Sequence, residues 1–87
     1  MTASVRLPRV LTETAGGAQR HEVEGSTLGE VLDNLFGKEP GLRNHLLDEK
    51  GRIRPHVLVF VDANRADLGT PVGTHSEVQV LQAVSGG

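Results

Sequence analysis

Only one segment of this chain has the pattern of a long amphipathic helix, and this limits the possible folds more than any other feature. Its apolar residues follow the i, i+3, i+4, i+7 spacing that puts them on one face, namely Leu28, Val31, Leu32 and Leu35. Thr27 and Glu30 match a capping box at the helix start, and Gly37 is the expected helix end. One helix can cover only one face of a sheet, so we expect a mixed sheet with one main covering helix.

The segment before the helix predicts a β-hairpin. Ser4–Leu11 and Gln19–Glu24 have strand patterns and are separated by a glycine-containing turn. Pro8 has no amide hydrogen to donate to a neighbouring strand, so the first strand should bulge or lie at an edge near this residue.

The segment after the helix, Lys38–Arg54, holds eight charged residues and is predicted to be a solvated connection. Its three leucines after residue 40 predict a short helical turn that anchors the connection to the core: Leu42, Leu46 and Leu47. Arg52, Arg54 and His56 form a small basic cluster. We interpret this cluster as a solvated strand start, with a docking patch for an acidic partner as the alternative.

Two longer strands and one short strand complete the predicted sheet. His56–Val61 is apolar at nearly every position, which is typical of a central strand covered on much of both faces. Arg65–Leu68 is predicted as a short strand, and Glu77–Val84 alternates with Val78 and Val80 inward. The order β-β-α-β-β-β predicts an α+β fold with the β-grasp arrangement, in which the first and last long strands are central and parallel.

The composition excludes several classes of function. The chain has no cysteine, which rules out a disulfide framework, a thiolate-ligated metal site and a cysteine nucleophile. Its net charge of −2 and its two aromatic residues argue against a nucleic-acid-binding protein. No stretch approaches the roughly 20 apolar residues of a membrane span, and the first ten residues lack the apolar region of a signal peptide. We therefore expect a cytoplasmic protein that does not bind membranes.

No group of residues in the sequence forms a recognisable catalytic or metal-binding motif. The four histidines lack the i, i+2 or i, i+4 spacing of a ligand pair: His21, His45, His56 and His75. Serine and histidine residues are not grouped as a hydrolase would need. We therefore predict that the chain is not an enzyme and binds no metal or cofactor of its own.

The glycines at the end of the sequence are its most informative chemical feature. Gly86 and Gly87 come almost directly after the last predicted strand. Residues without side chains can thread a narrow channel. We therefore predict a flexible tail over residues 85–87 that follows a β-grasp domain over residues 1–84. The Gly87 carboxylate is a poor electrophile until a partner enzyme activates it, most directly by adenylation with MgATP. The chain lacks the machinery for that step and would be its substrate.

The element order, the helix motif at residues 27–32 and the ending at residues 78–87 resemble the ubiquitin-like sulfur carrier proteins of the ThiS/MoaD family. The resemblance is strongest to the CysO-like carriers and covers nearly the whole chain. It departs at His75-Ser76-Glu77, where the family often has Gly-Asp-Glu.

The resemblance implies a sulfur-transfer cycle. An activating enzyme similar to that of ubiquitin (E1-like) adenylates Gly87 with ATP and Mg²⁺, and a sulfur donor displaces AMP to leave a thiocarboxylate. A downstream synthase then takes the sulfur for cysteine biosynthesis, a cofactor or a secondary metabolite. The partner enzymes are expected to contact the last strand and the tail, at Leu81, Val84, Ser85, Gly86 and Gly87. The free carrier is expected to be a monomer.

Three alternatives stay open at this point. Leu81 is expected to point outward, but it could instead belong to the core. The chain could be a protein modifier that is joined through Gly87 to lysines, which shares the activation step. It could also be a β-grasp interaction module whose tail has no chemical role.

Overall fold

The computed structural model describes residues 2–12 and 16–82 of the chain. These residues form a five-stranded sheet with one helix of 11 residues packed on it. The elements in chain order are β1 (Ala3–Arg6), β2 (Arg20–Val23), α1 (Leu28–Lys38), α2 (Arg43–Leu46), β3 (Val57–Val61), β4 (Asn64–Arg65) and β5 (Glu77–Gln82). Short 3-10 turns span Arg9–Leu11 and Pro40–Leu42.

The strand order in the sheet is β2-β1-β5-β3-β4. β1 and β5 run parallel, with Ser4 opposite Glu77 and Arg6 opposite Gln79. The other three pairs of neighbouring strands are antiparallel. The predicted β-grasp arrangement is therefore confirmed, with the first and last strands adjacent, parallel and inside the sheet.

The core lies between α1 and one face of the sheet. The four residues of the predicted helix stripe are at most 1% exposed, and Phe36 is buried with them. On the strands, buried valines alternate with exposed or half-buried residues: Val5, Val23, Val57, Val59, Val61, Val78 and Val80. The three predicted anchor leucines of the long connection are buried as well. The other face of the sheet, which we name the open face, holds the side chains between these valines.

The start of α1 has the predicted cap, with one change of partner. Thr27 Oγ1 accepts a hydrogen bond from the Glu30 amide at 3.2 Å, while Glu30 Oε1 accepts from the amide and the hydroxyl of Ser26, both at 2.9 Å. The Ser26 amide, followed by its hydroxyl, lowers the pKa of the Glu30 carboxyl below its ordinary 4.5. The ionised carboxylate therefore stabilises the helix start, and this contribution is lost as the pH falls through the lowered pKa.

The predicted helix end at Gly37 is wrong by one residue. α1 continues through Gly37 to Lys38, and the amide of the capping residue Glu39 donates to the Leu35 carbonyl at 2.8 Å. Pro40 explains the end, because the residue before a proline is disfavoured in the helical conformation.

The predicted ends of two strands are also wrong. β1 stops at Arg6 rather than Leu11, because Pro8 cannot pair and precedes a 3-10 turn in which the Leu11 amide donates to the Pro8 carbonyl at 2.9 Å. The short strand is Asn64–Arg65 rather than Arg65–Leu68. It follows a two-residue turn, Asp62-Ala63, whose φ angles of 50° and 71° suit a tight hairpin.

Candidate partner-binding site

The candidate site is the open face of the sheet near the C-terminal end of β5. β5 lies between β1 and β3, and its last residue, Gln82, is opposite Val57. The predicted site residues after it lie outside the described residues: Val84, Ser85, Gly86 and Gly87. Leu81 is therefore the predicted site residue that the structure places.

Leu81 lies on the open face, with 37% of its surface exposed. It is directly opposite Leu58 on β3, and Phe60 lies on the same face two residues further along β3. Leu58 and Phe60 are half-buried. These three side chains form an apolar area that we name the open-face patch. The outward orientation predicted for Leu81 is confirmed, and the alternative core position is wrong.

The open-face patch corrects the prediction that β3 is covered on much of both faces. Along β3, buried valines alternate with the half-buried Leu58 and Phe60. A strand that is apolar on both faces can have two buried faces, or one buried face and one face that a partner covers. The sequence pattern is the same in both cases, and the half-buried Leu58 and Phe60 show that the domain itself does not fully cover the open face of β3.

Two rows of mostly polar side chains cross the open face, and one of them includes Phe60 of the patch. The first, which we name the arginine row, has one residue from each strand in the order Arg20, Arg6, Gln79, Phe60 and Arg65. The second, which we name the acidic row, contains Glu22, Ser4, Glu77 and Asp62. The rows are two residues apart along each strand, and the acidic row is the more distant from Leu81. The open face is thus acidic at one end, basic in the middle and apolar near the end of β5.

Asp62 fixes the start of β5. One of its carboxylate oxygens accepts from the Glu77 amide and the other from the Ser76 hydroxyl, each at 2.9 Å. The Ser76 hydroxyl also accepts from the Gly73 amide at 2.9 Å, and its side chain is buried. These contacts could not be predicted from the sequence, because a hydrogen bond between residues 14 positions apart has no local pattern.

Comparison with known protein families identifies the chain. The model of the ThiS family matches residues 5–87. The chain belongs to the ThiS family. This confirms the membership in the ubiquitin-like sulfur carriers that the sequence predicted. A search of the curated proteins finds no match.

Solved structures similar to this ThiS-family protein cover all or nearly all of its length. SAMP1 from Haloferax volcanii is 28% identical, covers 100% of both chains and superposes with a TM-score of 0.89. A chain of the Amycolatopsis orientalis BexX/CysO complex is 25% identical over 98% of this chain and 99% of its own, with a TM-score of 0.90. CysO from Mycobacterium tuberculosis is 26% identical over 94% and 99%, with a TM-score of 0.87. The fold of this ThiS-family protein is thus shared with CysO proteins and with a small archaeal modifier protein.

The basic cluster of the ThiS-family protein mainly holds its long connection in place. Arg52 Nε donates to Asp48 Oδ2 at 3.2 Å, and Arg54 Nε donates to the Asn44 carbonyl at 2.7 Å. The Arg52 amide is the largest cause of the lowered pKa of Asp48. His56 is exposed. These contacts favour the interpretation as a solvated strand start over that of a docking patch.

The described part of the ThiS-family protein contains neither a metal-binding group of side chains nor a membrane-spanning helix. Within residues 2–12 and 16–82, no three histidine, aspartate or glutamate side chains are grouped as a metal site would require. In the same ranges, no helix has the length and apolar character needed to cross a membrane.

Proposed function

We propose that this protein is a sulfur carrier whose C-terminal Gly87 carboxylate is adenylated by an E1-like enzyme and converted to a thiocarboxylate. The observation that carries the proposal is the ThiS family match, which extends through the two terminal glycines. The chain acts as a protein co-substrate, and the ATP and Mg²⁺ belong to its partner.

The proposed chemistry has two balanced steps. In the first, a Gly87 carboxylate oxygen attacks the α-phosphorus of ATP, pyrophosphate leaves, and an acyl-adenylate forms. In the second, hydrosulfide or an equivalent donor attacks the acyl carbon, the bond to the AMP oxygen breaks, and AMP leaves with a proton released. The product is a C-terminal thiocarboxylate. Its sulfur is then delivered to a synthase for cysteine, a cofactor or a secondary metabolite.

The globular domain must supply most of the affinity for these enzymes, because ordering a tail costs about 1–2 kcal/mol per residue in backbone entropy. The open-face patch is the surface that suits this task. Its apolar residues are next to the end of β5, so an enzyme that covers the patch is also close to the tail. That the BexX/CysO complex was crystallised supports the idea that a protein of this fold forms a stable complex with a partner protein.

Replacing Leu81 with Asp is expected to lower kcat/KM for activation about 10- to 100-fold, because a charge would be buried against the enzyme. Leu81→Met keeps the apolar contact and is expected to stay within about threefold of wild type. The measurement is pyrophosphate release at varied carrier concentration. Circular dichroism should show the same fold for both variants, since residue 81 lies outside the core. Activation of Leu81→Asp at the wild-type rate would show that the patch is not the docking surface.

A protein modifier is the second candidate, and the likeness to SAMP1, a small archaeal modifier protein, favours it. In this case the acyl-adenylate would be attacked by a lysine amine, with AMP leaving and an isopeptide bond forming. Immunoblots of the native host for the carrier would then show conjugates of high mass. A sulfur carrier that is not a modifier would show only the free protein.

A further inference from the structure

We propose that the open face binds a protein partner that presents a line of carboxylates to the arginine row and an apolar side chain to the open-face patch. Identifying this partner as the activating enzyme rests on the proposed function. The chemistry of the surface does not depend on that identification.

The arginine row is long enough to contact an extended line of side chains on a partner. Strands lie about 4.8 Å apart, so the five positions span about 19 Å from Arg20 to Arg65. Arg6 and Arg65 are exposed and form no ion pair with any described residue. Arg20 Nη2 contacts Glu77 Oε1 at 2.9 Å, but these side chains are 59% and 70% exposed. Such an exposed pair contributes little, so Arg20 can also turn to a partner.

Folding alone does not account for this concentration of charge. Arg6 and Arg20 are directly opposite each other on β1 and β2, and like charges in that position destabilise a sheet. The chain has a net charge of −2, yet three of its seven arginines are in one row that contains no acid. A row that costs stability in the free protein is explained if a partner neutralises it.

The surroundings of the arginine row favour a protein over a nucleic acid. The acidic row is about 7 Å away on one side, and Leu58 with Leu81 is about 7 Å away on the other. A phosphate backbone crossing this face would be repelled by Glu22, Glu77 and Asp62 and would gain nothing from the patch. A protein surface can present carboxylates and an apolar side chain at this spacing.

The acidic row, the arginine row and the open-face patch follow one another along β5, and this order gives the surface a direction. We call them the three zones. If the partner were rotated by half a turn, its carboxylates would remain near the arginines, but its apolar side chain would meet the acidic row. Only one orientation matches all three zones. In that orientation the apolar contact lies nearest the end of β5, which directs the tail towards the same part of the partner each time.

The test uses the double charge reversal R6E/R65E and measures pyrophosphate release by the activating enzyme at two salt concentrations. We expect kcat/KM to fall at least about tenfold at low salt and the difference to shrink to about threefold at high salt, because the contact is electrostatic. The matched control R43E changes an exposed arginine on α2 by the same charge and should stay within about twofold. The single variant R6E should unfold no earlier than wild type, because the introduced carboxylate would face Arg20.

Equal rates for R6E/R65E and R43E would overturn the proposal while leaving the sulfur-carrier function intact. If wild type is not activated at all, the proposed function fails, and an NMR titration tests the surface separately. The probes are a helical peptide with one line of glutamates beside a leucine, and a single-stranded RNA oligonucleotide. Shifts of the Arg6, Phe60 and Gln79 amides with the peptide, lost in R6E/R65E, support the proposal. Tighter binding of the RNA, or no shift with the peptide, contradicts it.

Discussion

Deleting Gly87 is expected to abolish activation, with a loss of more than about 100-fold in kcat/KM for pyrophosphate release. The shortened chain still ends in a carboxylate, but that group is about 3.3 Å further from the ATP α-phosphorus. A misplacement of about 1 Å can already cost about 100-fold when two reacting atoms must be in contact. The measurement compares wild type and the deletion with the same activating enzyme and saturating MgATP.

The substitution Gly87→Ala is the control for this deletion. It keeps the carboxylate at its distance and adds one methyl group, so its loss should be clearly smaller than that of the deletion. Both variants should give the wild-type circular dichroism spectrum. An interaction module with an idle tail would give no pyrophosphate release with either chain and would bind its partner equally well without Gly87. Wild-type rates of pyrophosphate release for the deletion would contradict the requirement for Gly87.

Replacing Gly25 with Ala is expected to cost about 2–6 kcal/mol of folding free energy. Gly25 connects β2 to α1 with a φ of 152°, and an added Cβ would lie 2.7 Å from both the amide nitrogen and Cγ2 of Val31. Val31 is fully buried, so neither atom can move away without disturbing the core. A domain of this size has a total stability of roughly 4–13 kcal/mol, so the variant should be strongly destabilised or unfolded.

The control for Gly25→Ala is Gly37→Ala. Gly37 lies within α1, and an added Cβ there would meet nothing within 4 Å. Alanine should therefore stabilise the protein by up to about 1 kcal/mol. The chain has no Trp or Tyr, so unfolding in urea is best followed by far-ultraviolet circular dichroism. A Gly25→Ala variant within about 1 kcal/mol of wild type would contradict the close approach of the chain to α1.

The parts of the fold that depend on local pattern could be predicted from the sequence. The helix stripe, the cap at Thr27 and the anchor leucines follow from spacing and side-chain chemistry, and each is where it was expected. The parallel pairing of the first and last strands followed from having one helix to cover the sheet. The outward position of Leu81 followed from strand alternation.

The features that depend on competing local signals, or on contacts between residues far apart in the sequence, could not be predicted. Gly37 suits a helix end, but Pro40 decides where α1 stops. The role of Asp62 depends on Ser76 and Glu77, which are brought to it by the register of β5 and β3. The arginine row is invisible in the sequence, because its five residues come from five strands and meet only in the sheet.

The central claim is that Gly87 carries sulfur, and mass spectrometry of the C-terminal peptide from protein isolated from its native host tests it most directly. The account predicts a fraction of this peptide in which one oxygen has been replaced by one sulfur. Peptide-level assignment is needed because oxidation of Met1 changes the intact mass by nearly the same amount. A C-terminal peptide found only as the carboxylate, together with Gly87 joined to lysines of other proteins, would contradict the sulfur-carrier function and identify a modifier.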